Sequence, residues 1–259
     1  MKNNPHAFTV APGDAIRAPA FPKSLVETAY EHLLSLIVTM RIPPDGHIGI
    51  EGLARELKIS QTPIREALNL LEAQKLAYKI PNVGFRAAPL LKRSEIRDLF
   101  ELRLLVEPRA AAFAAQRSSD ETLAALRDMS QAMSRSVEGD VEYAQFAEGD
   151  ARLHQLIGAA SGNRFIAEMI ESLHVHLHIF RFLYRTSAAV DAAQEHAALV
   201  AALLDRDPFA AEEAMRAHLI ASRGRMERAV NAQEAADDSR PAAPRRRRRT
   251  VGANGGTPS

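Results

Sequence analysis

Between Leu53 and Leu71 apolar residues recur at three- and four-residue intervals in two sets. Leu53, Ala54 and Leu57 form the first, and Ile64, Ala67, Leu68 and Leu71 the second. The spacing predicts two short helices joined by a tight turn, the format that lays a helix in a DNA groove. Pro63 belongs in a first turn, where its missing N–H costs little, and Ser60 or Thr62 can cap the second helix. With the apolar set inward, Ser60, Gln61, Thr62, Arg65 and Asn69 remain near the exposed N-terminal end, and their groups suit base edges and phosphates. Upstream, Tyr30, Leu33, Leu34, Ile37 and Val38 mark an amphipathic helix that ends before Pro43 and Pro44. Downstream, Ala77 to Ile80 and Phe85 to Ala88 flank Pro81-Asn82-Val83-Gly84, which predicts a wing of two short strands around a glycine turn.

From Lys92 to about Val230 no strand alternation interrupts a helical period. Helices are expected at 93–116, 119–137, 140–160, 163–185, 189–205 and 208–231. The fold class is therefore mainly α: a winged helix-turn-helix at 23–90, then an antiparallel all-helical bundle of six or seven helices at 91–232. Residues 1–22, with their prolines, and residues 233–259, nearly empty of large apolar side chains, are expected to be disordered.

At 259 residues the chain is long enough for these two domains. It has no cysteine, which excludes a disulfide framework, a thiolate metal site and a cysteine nucleophile. No apolar run approaches the ~20 residues of a membrane span, and the first residues lack a signal-peptide core, so a cytoplasmic protein with no membrane partner is expected. The formal charge of +1 averages unlike segments, one of which is the five-arginine run Arg245 to Arg249. That run reads either as a solvated extension or as a non-specific phosphate contact.

Polar residues break the apolar stripes of the bundle at chosen places. Asp150 and His154 lie one turn apart in the stripe Phe146, Asp150, Leu153, His154, Ile157. His196 shares a face with Leu199, Val200 and Leu203, and His218 with Ala211, Met215 and Ser222. A lone inward histidine is ordinarily a hydrogen-bonded core residue, so the convergence of three helices carries the reading. One carboxylate with three imidazoles suits a divalent ion, Zn²⁺ first, with Ni²⁺ or Mn²⁺ as alternatives. Arg103 also falls inward, and a buried guanidinium needs a partner. Glu107, one turn on, is one candidate, and the carboxylate of a small effector is the other. His174, His178 and Arg181 share a face and line the same cavity or form a solvated basic edge.

The segment from Ser24 to Pro89 resembles the winged helix-turn-helix domain of GntR-type transcription regulators, through its PPDG turn, the LA pair followed by ISQTPIREAL, and the glycine wing. The resemblance implies that Ser60, Gln61, Thr62 and Arg65 touch the operator and that Gly84 enters the minor groove. Family members often carry arginine where this chain has Gln61, and glutamine favours adenine where arginine favours guanine. The bundle resembles the FCD effector-binding domain of the FadR branch, through Glu101-Leu102-Arg103 with Glu107, the block DARLHQLIGAASGN, Glu195-His196 and Ala217-His218-Leu219. This implies a divalent ion on Asp150, His154, His196 and His218, and an effector carboxylate on Arg103. A homodimer holding two recognition helices against operator DNA, with a small organic acid shifting their placement and repression as the expected sign, completes the reading. The alternative is a metal-dependent hydrolase carrying a winged helix, since such an ion can activate water. It lacks a clear general base: Glu195 points about 100° away from His196 on the same helix.

Overall fold

The computed structural model describes residues 23–134, 139–173, 175–184 and 186–238. The N-terminal domain consists of α1 (Leu25–Val38), β1 (His47–Ile48), α2 (Ile50–Leu57), α3 (Gln61–Ala73), β2 (Ala77–Ile80) and β3 (Gly84–Ala87). Ser24 caps α1 by accepting the Glu27 N–H at 3.0 Å, and Ala29, Leu33, Ile37 and Val38 pack inward without measurable exposure. Lys58 ends α2 in the left-handed conformation, so α3 starts three residues later with Pro63 inside its first turn. Ser60 is the N-cap of α3, yet its side chain makes no capping bond.

The wing forms as expected. Asn82 at φ 61° and Gly84 at φ 119° turn the chain from β2 into β3, and Val83 donates to the Ile80 carbonyl. A side chain at position 84 would be strained in that backbone conformation. The sheet has a third strand, in the antiparallel order β1-β3-β2 with Ile48 opposite Phe85. At two residues, β1 is too short to show a period of its own.

The C-terminal domain comprises α4 (Arg93–Arg117), α5 (Asp120–Met133), α6 (Asp140–Ala160), α7 (Arg164–Leu173), α8 (Val175–Leu183), α9 (Ala188–Leu204) and α10 (Pro208–Asp238). Helix α10 packs mainly against α4 and α9, and α6 packs on α4. Two boundaries depart from expectation. The segment read as one helix over 163–185 is two helices, α7 and α8. Helix α10 continues to Asp238, into the stretch expected to be disordered, because residues 232–238 are mostly good helix formers with no proline. There Arg93 binds Asn231 at 2.6 Å and Glu234 at 2.5 Å, tying α4 to α10. Residues 1–22 and the arginine run lie outside the described residues.

The domains meet through α1, which packs on α6 and α8. Ser35 donates to the Asp140 carbonyl at 3.2 Å, and Arg41 lies 3.6 Å from the Asp140 carboxylate. Among the described residues no helix is long and apolar enough to cross a membrane.

Candidate metal centre and nucleic-acid interface

At the start of α3 the inward set Pro63, Ile64, Ala67, Leu68 and Leu71 is buried, while Ser60, Gln61, Thr62 and Arg65 are all exposed. Their grouping follows from the helical period: residues one and four apart flank the buried stripe on its open side. The Arg65 guanidinium lies 3.5 Å from the Gln61 oxygen, at the limit of a hydrogen bond. Both side chains can therefore turn to a groove at little cost. Gly84 sits at the wing tip beside exposed Asn82 and Val83.

In the bundle, Asp150 and His154 of α6, His196 of α9 and His218 of α10 converge, each offering a ligand atom within 4.8 Å of the others. All four are buried. The donors are prepared from behind. His154 donates from Nδ1 to Glu107 Oε2 at 2.6 Å, and His218 donates from Nδ1 to Glu195 Oε2 at 2.7 Å. An ionised carboxylate only accepts, so each proton is assigned to Nδ1 and each Nε2 keeps its lone pair. The carboxylates are held in turn. Arg103 grips Glu107 at 2.5 and 3.2 Å, and Arg225 grips Glu195 at 2.6 and 2.8 Å. Two Arg–Glu–His chains thus orient two imidazoles, the outer shell that metal-binding histidines ordinarily carry.

Burial pushes the Glu107 carboxyl up, but Arg103 and His154 overcome this and hold it well below the usual range. Burial likewise raises Glu195, against hydrogen bonds from Arg225 and His218 that bring it down to about 2. Asp150 follows the same pattern, with His176 as the main counterweight. His154, His196 and His218 are all pushed down, chiefly by burial. They stay neutral near pH 7, as ligands to a cation must be.

Three buried ring nitrogens, His154 Nε2 and both of His196, have no hydrogen-bond partner. His196 Nε2 lies 3.3 Å from Asp150 Oδ1 without hydrogen-bond alignment. Unsatisfied buried nitrogens facing a carboxylate are costly unless something fills them. The donor set, three nitrogens and one hard oxygen, fits a divalent ion. Lowered imidazole pKa values also set a pH dependence. The unfolded imidazoles, near 6.5, take up protons that the folded ones refuse, so unfolding gains protons below that pH. Chelator-treated protein is therefore expected to melt at a lower temperature at pH 5.5 than at pH 7.5, read by differential scanning calorimetry.

His176 was missed by sequence reasoning, although it donates from Nδ1 to Asp150 Oδ2 at 2.7 Å. It forms a stripe with Ile179, Phe180 and Leu183 at i+3, i+4 and i+7, a visible signal. Of the residues chosen instead, the two that are described lie elsewhere. His174 falls outside the described residues. His178 is buried on α8, on the opposite side from His176. Arg181, expected at the effector cavity, sends its guanidinium to the carbonyls of Ala88 at 2.6 Å and Pro89 at 3.3 Å, in the linker between domains. Burial lowers it to about 10, which leaves it charged. Arg103 does reach the cavity wall, with its bonds directed to Glu107.

Comparisons with known proteins find a match for each of the two domains. Residues 25–86 match the family model described as bacterial regulatory proteins, gntR family, and residues 98–221 match the FCD domain. The chain is 29% identical over 200 residues to the HTH-type transcriptional repressor GlaR of Escherichia coli, covering 74% of this chain and 90% of that one. It is 28% identical over 171 residues to the Nta operon transcriptional regulator of Aminobacter aminovorans, covering 66% and 80%. Two solved structures share the fold at a TM-score of 0.57. E. coli McbR/YncC does so at 22% identity, covering 83% of this chain and 100% of that one. A GntR regulator from Rhodococcus sp. RHA1 does so at 16%, covering 79% and 98%.

Proposed function

This chain belongs to the GntR family of bacterial regulatory proteins, with an FCD domain after its winged helix, and on that premise we propose how it works. It is a DNA-binding transcriptional regulator rather than an enzyme. The proposal is that it acts as a homodimeric repressor, its two α3 helices reading operator half-sites through Ser60, Gln61, Thr62 and Arg65, with Gly84 of the wing in the minor groove. Repression as the sign follows the relative that bears the name repressor. In the bundle, Asp150, His154, His196 and His218 hold a divalent ion, Zn²⁺ first.

The observation that carries this reading is the set of unpartnered ring nitrogens beside Asp150, with Glu107 and Glu195 holding the other faces of His154 and His218. When bound, the ion supplies a Lewis-acidic centre that attracts a carboxylate. A native mass spectrum of protein purified without added metal tests it. A dimer carrying one divalent ion per chain is expected, and a metal-free monomer would contradict the proposal.

Helix α8 offers the route from this site to DNA. On one side His176 bonds Asp150, and on another Arg181 holds the carbonyls of Ala88 and Pro89, just past the last wing strand. A shift of α8 therefore moves the linker of the DNA-binding domain. Loss of that tether should separate two functions that binding alone would not distinguish. Arg181→Met is expected to bind zinc and DNA, yet its DNA affinity should no longer differ between zinc-loaded and chelated protein. Fluorescence anisotropy of a labelled operator duplex reads this, and an unchanged zinc response in the variant would remove Arg181 from the route.

A further inference from the structure

Arg245–Arg249 take no part in either site described above, and the charge of the rest of the chain gives them a role. Of the 33 lysines and arginines, six lie at Arg240 and Arg245–Arg249, whereas none of the 32 Asp and Glu residues lies beyond Asp238. Residues 1–238 therefore carry 27 cations against 32 anions, a formal charge of −5, and residues 239–259 carry +6. The winged helix-turn-helix is itself close to neutral, since residues 23–90 hold eight lysines and arginines against seven Asp and Glu. Three of those eight cations are engaged within the protein. Lys23 binds Glu31 at 2.6 Å, Arg41 lies 3.6 Å from Asp140, and Arg86 donates to the Asp45 carbonyl at 2.5 Å. A duplex carries one negative charge per ~1.7 Å of its axis, and neutralising those phosphates with lysine and arginine supplies essentially all sequence-independent affinity. The body of this chain contributes little to that hold.

The fold delivers the arginine run to the end of the bundle where it is useful. Helix α10 lies antiparallel on α4. Arg109, late in α4, binds Glu212 at 3.2 Å near the start of α10, and Arg93, the first residue of α4, binds Asn231 and Glu234 near its end. Helix α10 thus finishes beside the linker that follows the last wing strand. Gly84 at the wing tip is nine residues from Arg93, and Arg249 is eleven past Asp238. At ~3.3 Å per residue the wing tip lies at most about 30 Å from Arg93, and Arg249 can lie roughly 36 Å from the end of α10. A duplex resting on the wing is within that reach. A parallel α10 would have released the run at the far end of the bundle.

We propose that Arg245–Arg249 bind phosphates of the duplex beside the operator, a sequence-independent hold that the near-neutral winged helix does not supply. The competing partner is the protein's own carboxylates, but many of these are already paired, as Glu31 is with Lys23, Glu148 with Arg152 and Glu212 with Arg109. The proposal depends on the chain being a DNA-binding regulator, and neither on the ion nor on which bases α3 reads.

The test compares three full-length proteins: wild type, one with all five arginines made neutral (Arg245→Gln through Arg249→Gln), and one that keeps their charge (Arg245→Lys through Arg249→Lys). Fluorescence anisotropy gives the Kd of each for an operator duplex selected from random sequence and for a scrambled duplex, over a salt series from about 50 to 200 mM. Each phosphate neutralised contributes about 0.9 to the slope of log Kd against log salt, so the glutamine protein should lose roughly 2 or more of that slope. At the lowest salt it should bind both duplexes about tenfold or more weakly, with the ratio between them unchanged, while the lysine protein should behave as wild type. Equal slopes in the wild-type and glutamine proteins, or a loss confined to the operator, would overturn the proposal. Tighter DNA binding by the glutamine protein would also overturn it and assign the run to the protein's own carboxylates, and a lysine protein as weak as the glutamine one would replace a charge contact with one specific to guanidinium. Absence of any duplex binding by wild type would instead contradict the DNA-binding assignment itself, and this proposal with it.

Discussion

His196→Ala is expected to abolish tight zinc binding, and its effect on stability should depend entirely on whether zinc is present. An ion held only by the folded state adds RT ln(1 + [L]/Kd), about 4 kcal/mol at a thousandfold excess over Kd. For a chain of this size that corresponds to a drop of roughly 8–16 °C in Tm when the ligand is lost. Without zinc the balance reverses. Both ring nitrogens of His196 are buried without a hydrogen bond, so chelated wild type already bears the cost of two unsatisfied groups. In chelator the variant should therefore melt close to wild type. Calorimetry of both proteins with zinc and with chelator separates the cases, and an equal loss under both conditions would return His196 to the role of a core residue. His218→Ala should behave similarly with zinc, but it also removes the Nδ1 bond to Glu195, leaving Arg225 alone on that carboxylate, so some destabilisation should persist in chelator.

Arg65→Ala is expected to cost operator binding about 1–3 kcal/mol, a fall of roughly 5- to 150-fold, because one good base contact is worth that much. The side chain is exposed and makes only a marginal contact with Gln61, so the melting temperature should not move. Gel-shift titration at fixed salt, with an operator duplex and a scrambled one, reads both affinity and preference. Unchanged preference would take α3 out of the groove. Gln61→Arg should instead redirect preference, from adenine toward guanine at one position.

Much of the molecule was legible in the sequence because its packing is periodic. The stripe from Ile64 to Leu71 and the pairing of Asp150 with His154 are both one-turn patterns, and the fold places them where the period does. What was lost depends on phase or on long-range pairing. A single helical period over residues 163–185 puts His174, His178 and Arg181 on one face, at the cavity or at a solvated edge. The face of α8 toward Asp150 belongs instead to His176, two residues from His178 and so on the other side of the helix. Arg225 was equally accessible, at i+7 from His218 and past Ser222 on the same face. Strand β1 was not, since two residues carry no alternation and only its pairing with β3 defines it. The role of Glu195 was half legible: it points away from His196 on its own helix, and only the approach of α10 reveals that it serves His218.

Arg103 shows why geometry has to arbitrate. A buried arginine in an effector domain invites a ligand carboxylate, but Glu107 already satisfies it, at an exposure of 1%. Arg103 with Glu107, behind His154, and Arg225 with Glu195, behind His218, form two matched supports for the candidate ion site. Such supports act on the ligand histidines by orienting them, and their loss typically costs 10- to 100-fold in metal affinity.

The central claim is that ion binding in the helical bundle and DNA binding at α3 are coupled through one chain. By linkage, each must alter the other's affinity by the same factor. The direct measurement is the Kd of the full chain for an operator duplex selected from random sequence, by fluorescence anisotropy at fixed salt, in zinc and in chelator. A shift of about 5- to 150-fold is expected, the range of typical coupling free energies, and His196→Ala should abolish it. An identical Kd in the two conditions, with zinc content confirmed, would contradict the account.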